Sequence, residues 1–333
     1  MLLTLLAGLA EAADPIALEV LPRAQKGLGD PPGLVLVVNQ PAEDIKARVE
    51  CGGAWAEHGG GGAAAGQRIV LALDVNPGRY TCTGSLSARF ADGSEGEMPL
   101  SFEIEMLAPL KIEVPRQSVD VDAHKLAVVL DRQPSLVEVE LFGPRDAPVE
   151  SVEVAAAAMG PGEPIEVAWS SGDEVVRIHV KGTDEHGFWG AVDLFPWSYE
   201  IPHEDVVFDS NQSLIRPDEE PKLVAAMGEV DKVREKYGPD VPMKLYVAGY
   251  TDTVGDKHAN QQLSNLRAAS IATWFRDNGF DGPIYYQGFG ETVLAVETPD
   301  STDEAANRRA LYVLAAETPA VSTDLPKQAW NDL

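Results

Sequence analysis

The run from Lys244 to Gly279 constrains this chain more than any other stretch of it. Lys244-Leu245-Tyr246-Val247-Ala248-Gly249 alternates as a short strand does and ends on glycine. The loop Tyr250 to Gly255 follows, and a helix is predicted from about Asn260 to Asn278. There Leu263, Leu266, Ser270-Ile271 and Trp274-Phe275 recur at helical spacing, so that greasy face must pack on a sheet. Asn278-Gly279 supplies the stop, glycine being free to adopt the left-handed cap conformation. Asp252 thus falls just after a strand and Arg267 two turns into the helix behind it. A carboxylate and a guanidinium are expected to converge on one shallow pocket.

Thr251, Asp252, Gly255, Asn260, Leu263, Ser264, Arg267 and Ala268 fill the pattern T-D-x-x-G-x-x-x-x-N-x-x-L-S-x-x-R-A without a gap. That pattern resembles the OmpA-like peptidoglycan-binding domain of Gram-negative envelope proteins. The resemblance continues in family order through Val207-Phe208-Asp209-Ser210-Asn211, Gly288-Phe289-Gly290-Glu291 and Asn307-Arg308-Arg309, and so covers residues 201–316. It implies that Asp252 and Arg267 hold the diaminopimelate of a peptide stem, with Thr251, Asn260, Ser210, Asn211 and Arg308 completing a peptidoglycan site. Two departures stand out. Tyr250 occupies a place where histidine is common, and the stretch between Glu304 and Asn307 is short and lacks the usual Gly-Arg.

The chemistry is sensible apart from the resemblance. The free end of a diaminopimelate side chain is an ammonium beside a carboxylate, and one Asp and one Arg match both charges. Arginine's planar fork can engage a carboxylate through two hydrogen bonds. The same two residues, read without a ligand, make a salt bridge pinning loop to helix, worth ~0–1 kcal/mol if exposed.

Charge narrows the remaining classes. With 53 acidic against 26 basic residues among 333, the net charge is −27, which repels phosphate backbones and argues against nucleic acid. Leu2 to Ala10 is apolar and Ala10-Glu11-Ala12 has the A-x-A form, so residues 1–13 read as a secretory signal peptide. It is short and lacks a Lys or Arg before the apolar run, as a start codon placed too late would explain. No cysteine at the cleavage point supports a lipid anchor, and no later run approaches the ~20 apolar residues of a transmembrane helix. Neither H-E-x-x-H, G-x-S-x-G nor a Walker-type loop occurs, and His179, Asp184 and His186 read as strand and turn residues rather than metal ligands. No catalytic residue, metal or cofactor is therefore expected.

Residues 14–108 and 109–200 both read as short strands and turns. Leu34 to Val38, Arg68 to Val75 and Leu100 to Met106 carry the apolar periodicity of the first segment, with Asn76-Pro77-Gly78 and Asp92-Gly93 as turns. Val137 to Leu141 and Ile165 to Trp169 alternate strictly in the second. Both close on a strand, a polar turn and a last strand, which predicts two immunoglobulin-like β-sandwiches in tandem. Cys51 and Cys82, the only cysteines, each lie in a strand-like run of the first segment and are expected to form a disulfide. Phe188, Trp189, Phe195 and Trp197 read as core or domain-interface aromatics.

Residues 201–316 are expected to open with a strand at Val206-Val207-Phe208 and a helix starting at Arg216-Pro217, buried through Leu223, Met227, Val230 and Val233. Strands at 244–249, 284–287 and 309–314 complete a βαβαββ, α+β domain, followed by a loose tail at 317–333. The whole reads as a non-enzymatic periplasmic tether that binds peptidoglycan, is associated with cell wall or outer membrane, and presents two sandwiches to an unidentified envelope protein. The alternative is an interaction module whose OmpA-like fold no longer binds wall.

Overall fold

The computed structural model describes residues 14–237, 241–319 and 322–333; the signal-peptide reading lies outside them. Strands β1 (Ile16–Leu21), β2 (Arg23–Gln25), β3 (Gly33–Val38), β4 (Ala42–Cys51), β5 (Ala54–Gly59), β6 (Arg68–Ala72), β7 (Gly78–Phe90) and β8 (Glu95–Leu107) form two sheets, β1-β3-β6 and β2-β8-β7-β4-β5. Inward residues of both, among them Leu34, Leu36, Ile45, Val49, Leu71 and Ile104, share one core. Two sheets closed face to face over such a core are a sandwich. Cys51 and Cys82 are disulfide-bonded, joining adjacent strands β4 and β7 of one sheet. Closing a loop of 31 residues is worth about 3–4 kcal/mol on the chain-entropy argument. The Cys51→Ser, Cys82→Ser chain should therefore unfold at least 2 kcal/mol more easily in urea, and an unchanged midpoint would contradict this.

The second segment repeats the plan with β9 (Ile112–Glu113), β10 (Lys125–Leu130), β11 (Pro134–Phe142), β12 (Pro148–Ala155), β13 (Ile165–Ala168), β14 (Arg177–Asp184) and β15 (Trp189–Leu194). Its sheets are β13-β10-β9 and β12-β11-β14-β15, closed over Leu126, Val128, Val139, Val167, Ile178 and Val180. Gln25 ties the two sandwiches: its Nε2 donates to the Trp189 carbonyl and its Oε1 accepts from Arg132 and from the Leu110 N–H.

The last unit contains β16 (Ser198–Glu200), α1 (Glu220–Tyr237), β17 (Lys244–Tyr250), α2 (Lys257–Asp277), β18 (Ile284–Gly290), β19 (Ala310–Ala315) and β20 (Asn331–Asp332). The sheet runs β16-β19-β17-β18-β20, with β17 parallel to β18 and antiparallel to β19. Both helices cover one face, over Leu223, Val230, Val247, Ile271, Phe275 and Tyr312. Trp197 stacks on Tyr237 at 4.7 Å and Phe195 packs beside it, so these two aromatics do serve the junction with the preceding sandwich. Trp189 instead stays 43% exposed beneath the Lys181 ammonium.

Four expectations give way here. Val206-Val207-Phe208 forms no strand, because carboxylates take the hydrogen bonds a ladder would use. Val207 N donates to Glu219 Oε2 at 2.7 Å, and the Ala310 N–H of β19 donates to Asp205 Oδ1 at 2.9 Å. The edge of β19 is filled by β16 instead. Helix α1 starts at Glu220 rather than Arg216, since Arg216 and Glu219 are drawn into a turn with Asp209, Asp218 and Lys222.

The buried face of α2 is Asn260, Ser264, Ala268, Ile271, Ala272 and Phe275, and Leu266 is 55% exposed. Small residues face the sheet because it presents backbone. A Cβ on Gly249 would lie 2.5 Å from the Ser264 carbonyl, and one on Gly288 2.2 Å from Asn265 N. Finally, residues 322–333 are no unattached tail. Leu325 and Trp330 lie on the sheet face opposite the helices, beside Tyr246, Tyr250, Phe289 and Leu311, and β20 pairs with β18. Among the described residues no helix is long and apolar enough to cross a membrane.

Candidate functional site

The end of β17 is held from both sides. Tyr250 N donates to the Arg309 carbonyl at 3.0 Å and Thr251 N to the Gly290 carbonyl at 2.9 Å. This fixes where the chain leaves the sheet, and Asp252 is the next residue. Its Oδ1 accepts the Val254 N–H at 3.2 Å, a side-chain turn that starts the loop. Thr253 anchors a second loop, donating to the Pro299 carbonyl at 2.8 Å and accepting the Thr302 N–H at 3.0 Å. Gly255 takes φ +101°, which no side chain tolerates readily, and Asp256 caps α2 by accepting the N–H groups of His258 and Ala259.

Asn260 points inward. Its Nδ2 lies 3.2 Å from the Val254 carbonyl and 2.7 Å from Glu291 Oε2, and the residue is buried. It positions the Asp252 loop. Thr251 Oγ1 is buried beside Asp252 and has no hydrogen-bond partner among the described residues.

Arg267 projects from α2 over the Phe208 ring, 5.0 Å from its centroid. Its Nε donates to the Gln212 carbonyl at 2.9 Å and its Nη2 to the Asp209 carbonyl at 3.3 Å, so it clamps the turn that carries the exposed Ser210 and Asn211. Asn211 holds a left-handed φ of +56°, which asparagine tolerates better than most residues. Burial lowers the pKa of the Arg267 guanidinium below its ordinary value, with nearby Asp252 opposing that shift and Arg308 adding to it. Asp252, Arg267 and Arg308 therefore form one electrostatic cluster.

Within that cluster Asp252 and Arg267 do not bond to each other. Asp252 is only 8% exposed, and its Oδ2 accepts from Arg308 Nη1 at 2.5 Å. Arg308 also bonds Asp303, and the two carboxylates raise the pKa of its guanidinium, Asp252 foremost. Asn307 fixes the backbone beneath it: fully buried, it exchanges hydrogen bonds of 2.9 Å with both the N–H and carbonyl of Val296. Arg309 turns the other way, over the Tyr250 ring and toward Asp324. Burial raises the Tyr250 pKa, so this tyrosine stays a neutral donor, to the Asp324 carbonyl.

The site thus gathers Asp252, Thr251, Arg267, Arg308 and the Ser210–Asn211 turn, and draws Asn260 in as scaffold. Asp303, Glu291, Thr253 and Phe208 also belong to it and are not among the site residues expected from sequence. Glu291 and Phe208 sit inside motif blocks and could have been found there; Asp303 lies in a polar run with no spacing to mark it. Chemically, Arg267 keeps N–H groups beyond its two backbone bonds for a carboxylate, while the Asp252 carboxylate is already paired with Arg308.

A sequence profile of the OmpA family matches residues 207–309. The outer-membrane lipoprotein YfiB of Pseudomonas aeruginosa is 30% identical over 127 residues, 36% of this chain and 68% of its own length. Outer membrane protein A of Shimwellia blattae is 32% identical over 108 residues, 32% of this chain and 42% of that protein. The Photosystem I chlorophyll a apoprotein A2 of Gloeobacter violaceus is 30% identical over 126 residues, 36% of this chain and 14% of that protein. The shared segment is thus a minor part of this chain and, in two of these three relatives, less than half of theirs.

Proposed function

Because this chain belongs to the OmpA family, matched at residues 207–309, we propose that its last unit binds peptidoglycan non-covalently in the periplasm and tethers the protein to the wall. The ligand is the zwitterionic end of diaminopimelate in the peptide stem. Its carboxylate lies on Arg267 and its ammonium on Asp252, beside the Thr251 hydroxyl and the Ser210–Asn211 turn. The protein does no catalysis there; it holds wall and partner together.

The observation that carries this reading is that Asp252, held by Val254 and Arg308, and Arg267, clamped on the 209–212 turn, are each fixed by other groups and share no hydrogen bond among the described residues, with Asp252 near enough to favour the Arg267 charge. A fixed pair of opposite charges suits a ligand that carries both signs. The two sandwiches are immunoglobulin-like and face an envelope protein partner. Strand order supports the immunoglobulin-like reading of the second sandwich: its first, second and fifth strands make one sheet and the other four make its partner.

A second reading has one observation in its favour. Arg308 already neutralises Asp252, as it would in a domain that keeps the fold and has lost wall binding. Sedimentation with purified sacculi separates the two. Wild type is expected in the pellet, with Asp252→Ala and Arg267→Ala each weakened at least tenfold, about 1.4 kcal/mol. Wild type remaining in the supernatant sinks the tether.

A further inference from the structure

We propose that Arg308 is a displaceable counter-ion that competes with the ligand's ammonium group for Asp252, with Asp303 as the partner it retains when it leaves. This rests on the wall-binding reading of the site. Both oxygens of Asp252 are occupied: Oδ1 by the Val254 N–H, Oδ2 by Arg308. An approaching ammonium therefore meets a neutralised carboxylate and gains its place only as the guanidinium withdraws.

The two arginines of the cluster are built differently. Arg267 is tied by Nε and Nη2 to two backbone carbonyls and lies against Phe208, so it is fixed. Among the described residues Arg308 has no backbone partner; its bonds are to Asp252 and Asp303, and its side chain is 41% exposed. Asp303 is 78% exposed and can follow it outward. The backbone below stays still, because Asn307 is locked to Val296 on both its amide atoms. A swing of one side chain from a shared pair to a single pair keeps Arg308 charge-balanced, where otherwise it would be stranded.

Charge balance is preserved throughout. In the free protein two arginines face two aspartates. With the zwitterion bound, Arg267 meets the ligand carboxylate, Asp252 the ammonium, and Arg308 rests on Asp303. Competition from the guanidinium lowers the apparent affinity in proportion to the fraction of time Asp252 is free. For a partly exposed pair that penalty is about fivefold.

Calorimetric titration of the full chain with meso-diaminopimelate, alongside sacculi pelleting, tests this. Arg308→Gln removes the competitor and should bind about fivefold more tightly. Asp303→Asn removes the retained partner and should bind more weakly, while thermal melting, read on each variant, stays near wild type for this exposed position. Arg308→Lys, which keeps the cation, should return toward wild type. If wild type binds in an Arg267-dependent way and Arg308→Gln weakens binding or leaves it unchanged, the competitor is overturned and the wall-binding reading stands. If wild type, Arg308→Gln and Arg308→Lys all fail to bind both ligands, both fall together.

Discussion

Gly288→Val is expected to lower the unfolding free energy of the chain's last unit by about 3 kcal/mol and to abolish retention by sacculi, with every charge in place. The Cβ alone would sit 2.2 Å from Asn265 N and 2.4 Å from Ser264 Oγ. Backbone of α2 cannot yield as a flexible side chain does. The contact is also bonded: Gly288 N donates to Asn265 Oδ1 at 3.1 Å and Gly290 N to Ser264 Oγ at 2.9 Å. Relief must come from lifting the helix off β18, which moves Arg267 and Asn260 away from the loop of Asp252. Asp252→Ala gives the informative contrast, since it should lose wall retention with a smaller change in melting. A Gly288→Val protein that melts as wild type and still pellets would show that α2 is not positioned by this close approach.

Removing residues 322–333 is the second large effect expected. Trp330 meets Tyr246 edge-on at 5.1 Å and Phe289 at 6.1 Å, and Leu325 packs on the same sheet face. Asn331 and Asp332 pair with β18, and Gln328 bonds Gln287 at 2.9 Å. The truncated chain loses these contacts and uncovers a face of Tyr246, Tyr250, Phe289 and Leu311. Loss of a packed tryptophan with its neighbours costs about 3–5 kcal/mol, and a newly exposed apolar patch promotes association. The melting midpoint should fall, and an environment-sensitive hydrophobic dye should bind. Unaltered melting and no dye signal would mean the segment merely rests on the sheet. Tyr250 and Arg309 also lose Asp324, so the end of β17 loosens where it delivers Asp252.

Much of this was legible in the residues. Strand β17 ends where Gly249-Tyr250 implied, and α2 stops at Asn278 with Gly279 at φ +105°. Cys51 and Cys82 found each other, and Asp252 follows the end of β17 while Arg267 lies within α2. These features are written in short-range terms: alternation, helical spacing, caps, and a disulfide within one small sandwich.

The misreadings share a cause. Helical spacing named Leu263, Leu266, Ser270-Ile271 and Trp274-Phe275 as the buried face of α2; Ile271 and Phe275 are buried, but Leu266 is exposed and Ser264 and Ala268 instead face a sheet whose glycines admit a close helix. Periodicity weighs hydrophobicity; the opposing surface decides how near a helix can come. Val206 to Phe208 had a strand's composition, but carboxylates from Asp205 and Glu219 took the hydrogen bonds of that ladder. By itself the sequence determined the strand–loop–helix that carries the site and the residue types in it. Tertiary structure alone decided which arginine holds Asp252, 56 positions away, and that Leu325 and Trp330 cover the far face of the sheet. Charge pairing and surface burial depend on distance in space, and no local pattern encodes that.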